Sequence, residues 1–367
     1  MVRAMNTRIQ TVYRVKAEPS TIEARARGIA VEQSVEMPLE PIDNPFVIDE
    51  IIGQVESIVD LGGGIYEVRV GLASITTGYD AGQLINMLLG NTSLQDGISL
   101  VDAVFPPDIV EAFGGPNIGL DGVRARVKAK GALTATALKP QGTPPATLAR
   151  LAYDIALGGI DYIKDDHGIA DQPYCPFASR VPMIAEAVHM AGAKTGIPTR
   201  YLPSLNGNLD KMRTQIALAR SSGLDGVLIA PMLCGFANFQ TLKKENPDFL
   251  FMTHPSMAGG PMAPQFFFAK LMRLLGSDAS VFCNYGGRFG YTPELCHKIA
   301  GWCLQEAPGL KPCVPTPAGG MELKRVPELL DFFGPDVMLL IGGSLLATKE
   351  NITKATAAFC DAVRGAS

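Results

Sequence analysis

The first third of the chain mixes strand-like and helix-like patterns. Strands are indicated where apolar and polar residues alternate, and helices where apolar or small residues recur every three or four positions. The pattern predicts strands at Arg8–Lys16, Val47–Val59 and Ile65–Leu72, and helices at Ile22–Glu32 and Ala81–Leu89. The segment Phe105–Val123, rich in proline and glycine, then leads into a different kind of sequence. We therefore predict a small α+β domain over residues 1–125.

From about residue 132 onward, short apolar runs alternate with helical patterns. Continuously apolar runs are typical of parallel strands that are buried on both faces. The predicted strands are Ala132–Leu138, Tyr162–Ile163, Thr199–Leu202, Gly226–Ile229, Phe249–Thr253, Val281–Cys283, Pro312–Pro315 and Val337–Ile341. Each is followed by a predicted helix, so we expect residues 126–367 to form a (β/α)8 barrel, with a doubly wound sheet as the alternative. The predicted fold class is α/β, a C-terminal TIM barrel with a smaller N-terminal α+β domain.

Composition narrows the classes of function. The chain has 367 residues, of which 47% are hydrophobic, and a formal net charge of −4. This balance does not favour nucleic-acid binding, which normally requires a basic face. No apolar stretch approaches the roughly 20 residues of a membrane span, and Met1–Lys16 lacks the apolar core of a secretory signal. The seven cysteines are scattered without a CxxC pair, so we expect reduced thiols in a cytoplasmic protein that binds neither nucleic acid nor membrane.

The most informative local sequence follows the second predicted barrel strand. It reads Gly158-Gly159-Ile160-Asp161-Tyr162-Ile163-Lys164-Asp165-Asp166-His167. Catalytic side chains of barrels lie at the carboxyl ends of strands, where these charged residues fall. Adjacent carboxylates repel each other unless a cation compensates, and hard cations such as Mg²⁺ prefer oxygen ligands. A solvated loop could have the same composition, so the placement at a strand end is what favours a site.

The pattern Gly-Gly-x₄-Lys-Asp-Asp resembles the second-strand motif of the ribulose-bisphosphate carboxylase superfamily. The resemblance implies that CO₂ carbamylates Lys164, which then binds Mg²⁺ together with Asp166 and a third side chain. His167 stands where that family has glutamate. Because imidazole suits transition metals better than Mg²⁺, Mn²⁺ is an alternative ion. The predicted metal ligands are thus Lys164, Asp166 and His167, with the role of His167 left open.

Two further strand ends carry candidate groups for proton transfer. The segment Thr136–Pro140 is similar to the family's first-strand Lys-Pro motif, which implies that Lys139 exchanges a proton with the substrate. A lysine can do so when burial or a nearby cation lowers its pKa. The fifth strand is followed by His254, while Pro255 replaces the phosphate-binding arginine of the carboxylases. The predicted catalytic residues are Lys139, Lys164 and His254.

The later strand ends supply predicted contacts to the substrate. Glycine pairs follow the last two strands, where bare backbone N–H groups can bind phosphate. These pairs are Gly319-Gly320 and Gly342-Gly343, and both match the family's phosphate site. In the carboxylases the loop after the sixth strand supplies a lysine that closes over CO₂, whereas here this loop has no lysine, and its only cation is Arg288, a predicted substrate contact. Guanidinium is not a ready proton donor, so this difference argues against carboxylation.

The N-terminal domain carries a predicted contact to a second subunit. The segment Leu89-Gly90-Asn91 resembles one whose asparagine reaches the metal site of the neighbouring subunit in this family. Glu32 falls near the family's acidic segment, although an exposed helix end would explain it equally well. The resemblance therefore implies a homodimer with shared active sites, in which Asn91 contributes to substrate binding.

The predicted metal site, Lys139, His254 and the glycine pairs suit enolisation of a small-molecule sugar phosphate better than CO₂ capture. Carboxylase-like members of this superfamily act in methionine salvage. The short chain and the glutamate-to-histidine change favour the group that isomerises 5-methylthioribulose 1-phosphate to 1-methylthioxylulose 5-phosphate. The alternatives are the 2,3-diketo-5-methylthiopentyl-1-phosphate enolase, another sugar-phosphate enolisation or decarboxylation, and a non-catalytic barrel.

Overall fold

A computed structural model describes residues 7–348 and 351–365 of the chain. Its N-terminal part is a four-stranded antiparallel sheet with the strand order β2-β3-β1-β4. The strands are β1 Arg8–Lys16, β2 Gln54–Asp60, β3 Ile65–Ala73 and β4 Ile98–Val104. Two helices accompany the sheet, α1 Ile22–Glu32 and α2 Ala81–Leu88. The prediction that Met1–Lys16 is not a secretory signal concerns in part residues 1–6, which lie outside the described residues.

Two sequence predictions for this domain differ from the structure. The predicted strand Val47–Val59 is wrong over its first half, because Val47–Ile51 forms a turn of π-helix and β2 begins only at Gln54. Strand β4 was not predicted, although its apolar residues alternate in part and it follows an Asp-Gly turn. Its pairing with β1 explains its presence, since β1 is the inner strand between β3 and β4.

The C-terminal part is an eight-stranded parallel sheet with the order β7-β6-β5-β12-β11-β10-β9-β8. The strands are β5 Leu133–Leu138, β6 Tyr162–Asp165, β7 Arg200–Leu202, β8 Gly226–Ile229, β9 Leu250–Thr253, β10 Ala279–Cys283, β11 Val314–Ala318 and β12 Met338–Ile341. A parallel bridge between Ser204 and Leu228 joins the two ends of the sheet, and Leu205 N donates to Leu228 O at 2.8 Å. The sheet is therefore a closed barrel, and the predicted fold class is confirmed.

Helices follow the barrel strands and cover the outside of the sheet. They are α5 Pro145–Leu157, α6 Phe177–Thr195, α7 Leu209–Ser221, α8 Pro231–Cys234, α9 Phe236–Glu245, α10 Met272–Leu275, α11 Pro293–Leu304, α12 Val326–Phe333, α13 Gly343–Leu346 and α14 Ile352–Gly365. In the two described ranges, none of the helices combines the length and apolarity needed to cross a bilayer. All seven cysteines carry free thiols.

The segment between the two sheets closes one end of the barrel. It forms α3 Pro107–Phe113 and α4 Gly119–Val127. Buried side chains of α4, Val123 among them, pack with inward-facing residues of the barrel strands, and Tyr162 donates a hydrogen bond to Val123 O at 2.7 Å. The predicted domain boundary at residue 125 falls within α4 and stays a prediction. Because α4 covers the amino ends of the strands, the interior of the described barrel is open to a ligand at their carboxyl ends.

Candidate active site

A cavity of about 920 Å³ opens at the carboxyl ends of the barrel strands. Side chains from successive strand ends and loops line it, as the barrel topology requires. Its lining includes these predicted residues: Lys139, Lys164, Asp166, His167, His254, Arg288, Gly319, Gly320, Gly342 and Gly343. The sequence therefore predicted a set of residues that the fold brings together, with Asn91 as the one exception.

The two-residue period of β6 separates the charged residues of its motif. Side chains of a strand alternate between its faces, so Lys164 points into the barrel mouth and Asp165 points outward to the helices. Lys164 is almost fully buried, and its Nζ donates to Asp165 O at 3.1 Å. The pKa of Lys164 is lowered from 10.5 to about 8, and burial is the main cause. Roughly a tenth of this amine is therefore uncharged at pH 7 and available as a nucleophile, far more than for an ordinary lysine.

Behind Lys164, a buried ion pair fixes the end of β6. The Asp165 carboxylate lies 3.1 Å from Arg180 Nη2, and both side chains are fully buried. The same carboxylate accepts hydrogen bonds from Tyr201 Oη at 2.7 Å and from Ser204 N at 3.0 Å. These contacts tie β6 to α6 and β7, so Asp165 positions its neighbours in sequence and does not itself line the cavity.

Asp166 is the ionised centre of the site. Its Oδ1 lies 3.0 Å from Lys139 Nζ and 3.3 Å from His167 Nδ1. Burial opposes ionisation, but hydrogen bonds from His167 and Lys139 outweigh it and hold the pKa of this carboxyl well below its ordinary value. Asp166 is thus a carboxylate at any physiological pH, paired with the Lys139 amine.

His254 stacks on His167 with ring centroids 4.2 Å apart and an angle of 16° between the planes. Its Nδ1 forms a 2.9 Å hydrogen bond with Ser256 Oγ. Burial, reinforced by the charges of Lys164 and His167, lowers the pKa of His254 to about 2. The imidazole ring of His254 is therefore uncharged at physiological pH. Ser256 was not predicted as a site residue, although a hydroxyl two residues after a candidate histidine was a signal for it.

The two glycine pairs shape the cavity wall in different ways. Gly320 has φ of +64°, and a Cβ there would come within 2.7 Å of Gly286 O, so glycine is required at this position. At Gly342 and Gly343, a Cβ would meet no described atom within 4 Å, which leaves open space beside the backbone. Both pairs therefore expose backbone to the cavity, as the phosphate prediction requires.

Comparison with known proteins supports the motif resemblance. The catalytic-domain model of the ribulose bisphosphate carboxylase large chain matches residues 112–290. A 5-methylthioribulose-1-phosphate isomerase from Rhodospirillum rubrum is 53% identical over 365 residues, covering 99% of this chain and 98% of that protein. The chain belongs to the ribulose bisphosphate carboxylase-like family. The predicted resemblance is confirmed.

Two further relatives place this carboxylase-like protein within its family. The crystal structure of a Rubisco-like protein from Rhodopseudomonas palustris has a TM-score of 0.91 and 45% identity, covering 97% of each chain. A putative 2,3-diketo-5-methylthiopentyl-1-phosphate enolase from Shouchella clausii is 24% identical over 373 residues, covering 98% of this chain and 99% of that protein. The relatives therefore carry the names of more than one activity.

The donor set of this carboxylase-like protein fits a metal ion only if Lys164 is modified. Among the described residues, no three His, Cys, Asp or Glu side chains are grouped so that they could hold an ion. Asp166 and His167 form a pair, and the buried Lys164 lines the same cavity as a candidate for a third ligand. An ammonium cannot bind a cation, whereas a carbamate on an uncharged lysine supplies oxygen ligands. The lowered pKa of Lys164 suits that modification.

The outer part of the cavity has an apolar edge. Met257 and Phe289 line the cavity from the loops after β9 and β10, and they are 67% and 58% exposed. The Arg288 guanidinium lies over the Phe289 ring, 4.9 Å from its centroid. Large apolar side chains left open beside a polar site are typical of a contact surface for an apolar ligand group.

Asn91 lies outside the cavity described for its own chain. Its Nδ2 donates to Glu32 Oε1 and to Glu36 Oε1, both at 2.9 Å, on the exposed surface of the N-terminal domain. The two residues that the family resemblance directed towards a second subunit, Asn91 and Glu32, are thus in contact with each other.

Proposed function

We propose that this chain isomerises 5-methylthioribulose 1-phosphate to 1-methylthioxylulose 5-phosphate. The observation that carries the proposal is the convergence of Lys139, Lys164, Asp166 and His254 on one cavity. The choice of reaction is supported by the name of the Rhodospirillum rubrum relative and by its 53% identity over 99% of this chain. The reaction moves a ketone two carbons along the sugar chain by two successive enolisations.

Each enolisation removes a proton from the carbon beside the ketone and returns one at the former carbonyl carbon. A histidine with a pKa of about 2 is a poor base. We therefore assign proton transfer to Lys139, which the Asp166 carboxylate holds at 3.0 Å. His254 has Nδ1 engaged by Ser256, which leaves Nε2 to hydrogen-bond a substrate hydroxyl.

Lys164, once carbamylated by CO₂, and Asp166 would hold Mg²⁺ or Mn²⁺, with His167 as the third predicted ligand. When bound, the ion polarises the ketone and stabilises negative charge on its oxygen. Asp165 and Arg180 keep Lys164 in place from behind. The same protein groups would serve either enolisation, because each step needs only a base and a polarised ketone.

The two ends of this substrate differ in polarity, and so do the two sides of the cavity. The glycine pairs after β11 and β12 expose backbone that suits the phosphate. Met257 and Phe289 suit the methylthio group, because thioether sulfur packs favourably against aromatic and flexible apolar side chains. The side chain of Arg288 lies at the same edge and is a further candidate phosphate contact.

We also propose that the active protein is a homodimer with shared sites. Support comes from Asn91 and Glu32, which form an exposed polar group away from their own cavity. In a symmetric dimer, each chain can place such a group at the site of the other.

The enolase reaction is the second candidate. It is supported by the Shouchella clausii relative, whose match spans nearly both full chains at 24% identity. Parallel ³¹P NMR assays with the two candidate substrates, Mg²⁺ and bicarbonate distinguish the reactions. We expect 5-methylthioribulose 1-phosphate to be converted and the diketo phosphate to remain. The reverse result would establish the enolase, and conversion of neither would overturn the proposal.

A further inference from the structure

The loops after β10 and β11 approach each other so closely that they meet through glycines. Each loop contributes two glycines to the cavity wall, Gly286-Gly287 and Gly319-Gly320. A Cβ on Gly287 would lie 3.2 Å from Gly319 C, and a Cβ on Gly320 would lie 2.7 Å from Gly286 O. Because glycine backbone is conformationally permissive, the orientation of these peptide groups has to be fixed by a neighbouring side chain.

Arg325, one residue before α12, bridges the two loops from behind. Its Nη1 donates to Tyr285 O at 3.3 Å and to Gly320 O at 3.0 Å. The Glu328 carboxylate holds the opposite edge of the guanidinium, accepting from Nε at 3.2 Å and from Nη2 at 2.9 Å. The planar fork is therefore fixed by Glu328 on one edge and binds both loops with its remaining nitrogen.

Tyr285 anchors the first of these loops to the same ion pair. Its Oη donates to Glu328 Oε1 at 2.7 Å, and the Arg325 guanidinium lies over its ring, 4.9 Å from the centroid. Glu328 compensates the charge of Arg325, and Arg325 does not line the cavity. A ligand in the cavity therefore experiences Arg325 through the position of the loops, and only weakly through its charge.

The carbonyl groups that Arg325 binds determine where the adjoining N–H groups point. In a trans peptide the N–H points opposite to the C=O, and both of these peptides are trans. Since Tyr285 O and Gly320 O are directed at Arg325, the N–H groups of Gly286 and Met321 point the other way, and both residues line the cavity. Neither N–H donates to an acceptor among the described residues. Converging backbone N–H groups of this kind suit an anion.

We propose that Arg325 is a positioning residue for phosphate, holding the two loops so that the N–H groups of Gly286 and Met321 bind it. The inference rests on the proposed function for the phosphate itself and adds the residue that shapes its binding site. Lysine cannot replace Arg325, because one ammonium lacks the planar fork that binds a carboxylate and two carbonyls together. A role in charge alone would survive in Arg325→Lys.

Titration of the full chain with inorganic phosphate, followed by ³¹P NMR, tests the position of the loops without turnover. Arg325→Lys and Arg325→Met should both weaken phosphate binding about tenfold, as loss of a hydrogen bond to a charged group does. The matched controls are Arg213→Lys and Arg213→Met. Arg213 also binds a glutamate, Glu245, through Nε and Nη2, but it does not line the cavity. These controls should keep wild-type affinity.

Glu328→Gln separates position from charge while Arg325 stays in the chain, and it serves if neither Arg325 variant folds in urea-titration controls. Loss of the Glu328 charge loosens the guanidinium but also leaves its positive charge uncompensated. The positioning role predicts weaker phosphate binding in Glu328→Gln, whereas a role in charge predicts tighter binding.

Kinetics with 5-methylthioribulose 1-phosphate give a further readout. The Arg325 variants should raise KM by about tenfold and lower kcat much less, because the bonds of Arg325 go to the phosphate loops and to α12. Inhibition by 5-methylthioribulose, which lacks the phosphate, should not change. Equal effects of the variants on both ligands would contradict a role confined to phosphate.

The phosphate titration also distinguishes this inference from the proposed reaction. A wild type that binds no phosphate, wild-type affinity in Arg325→Met or Arg325→Lys, or an equal loss in the Arg213 variants would each overturn the role of Arg325, even if the methylthio substrate is converted. Weakened phosphate binding in both Arg325 variants, without turnover of either candidate substrate, would keep that role and overturn the proposed reaction.

Discussion

Lys139 Nζ lies 3.0 Å from Asp166 Oδ1, across the ends of two neighbouring barrel strands. The two residues meet because β5 and β6 are parallel and in register, with Leu138 opposite Asp165. Asp166 N also donates a hydrogen bond to Leu138 O at 3.2 Å. The proposed proton-transfer residue and a proposed metal ligand are therefore one electrostatic unit, and a change at either is expected to affect both.

The lowered pKa of Lys164 predicts how activation depends on pH. Only the uncharged amine reacts with CO₂, and a lysine pKa of about 8 makes that form increase as the pH rises through 8. Preincubation with bicarbonate and Mg²⁺ at pH 6.5 to 9, followed by assay at one fixed pH, should show faster activation at higher pH. Activation that is independent of pH, or fastest at low pH, would contradict the role of Lys164.

Met257 and Phe289 are predicted to select the methylthio end of the substrate. Met257→Ala and Phe289→Ala should each raise the KM for 5-methylthioribulose 1-phosphate by about tenfold, as loss of an apolar contact of this size does. They should change the KM for ribulose 1-phosphate much less. Leu233→Ala is the matched control, because Leu233 is also about half exposed but does not line the described cavity. Equal effects on both substrates would argue against this contact.

Arg180 is predicted to be important for stability. Removing one partner of a buried ion pair leaves an uncompensated charge, which costs about 3 to 5 kcal/mol. Arg180→Met should therefore lower the free energy of unfolding by that amount in urea titrations. Arg150→Met, which breaks an exposed pair with Asp154, should cost less than about 1 kcal/mol. Similar losses for the two variants would show that the Asp165–Arg180 pair is not structurally important.

Subunit mixing tests the shared active site. Asn91→Ala and Lys164→Ala homodimers should both have little activity. When equal amounts are unfolded and refolded together, half of the dimers are mixed and hold one intact site of two, which restores about a quarter of wild-type activity. Full activity of Asn91→Ala alone, or no recovery on mixing two inactive variants, would contradict sharing.

Much of the barrel was predictable because buried parallel strands are short apolar runs. Gly226–Ile229 has the predicted bounds, and most other strands shift by one or two residues at an end. The seventh barrel strand differs more from its prediction, because it was predicted at Pro312–Pro315 and lies at Val314–Ala318. Its prolines weaken the apolar pattern. The mixed pattern of Val47–Ile51 fits a helical turn as well as a strand, and the sequence alone could not decide between them.

The candidate site was predictable to the level of residues but not of contacts. Strand-end placement brought Lys139, Lys164 and His254 to one cavity. The stacking of His167 on His254 joins residues 87 positions apart in sequence (254 − 167) and depends on the geometry of the loops. The outward position of Asp165 follows from the two-residue period of β6, which starts at Tyr162 as predicted but runs two residues beyond the predicted end at Ile163.

Deuterium incorporation tests the central claim most directly. Wild-type protein is incubated with 5-methylthioribulose 1-phosphate, Mg²⁺ and bicarbonate in D₂O, beside Lys139→Met and Lys211→Met, and the carbon skeleton is followed by ¹³C and ¹H NMR. Lys211 is the matched control, since it is similarly exposed (42% against 38%) and also pairs with an aspartate. We predict 1-methylthioxylulose 5-phosphate with the wild type and the control, any exchange with solvent placing deuterium at the carbons beside the migrating ketone, and a rate lower by about 10² or more with Lys139→Met. The account would be contradicted if the wild type formed no new ketose and took up no deuterium.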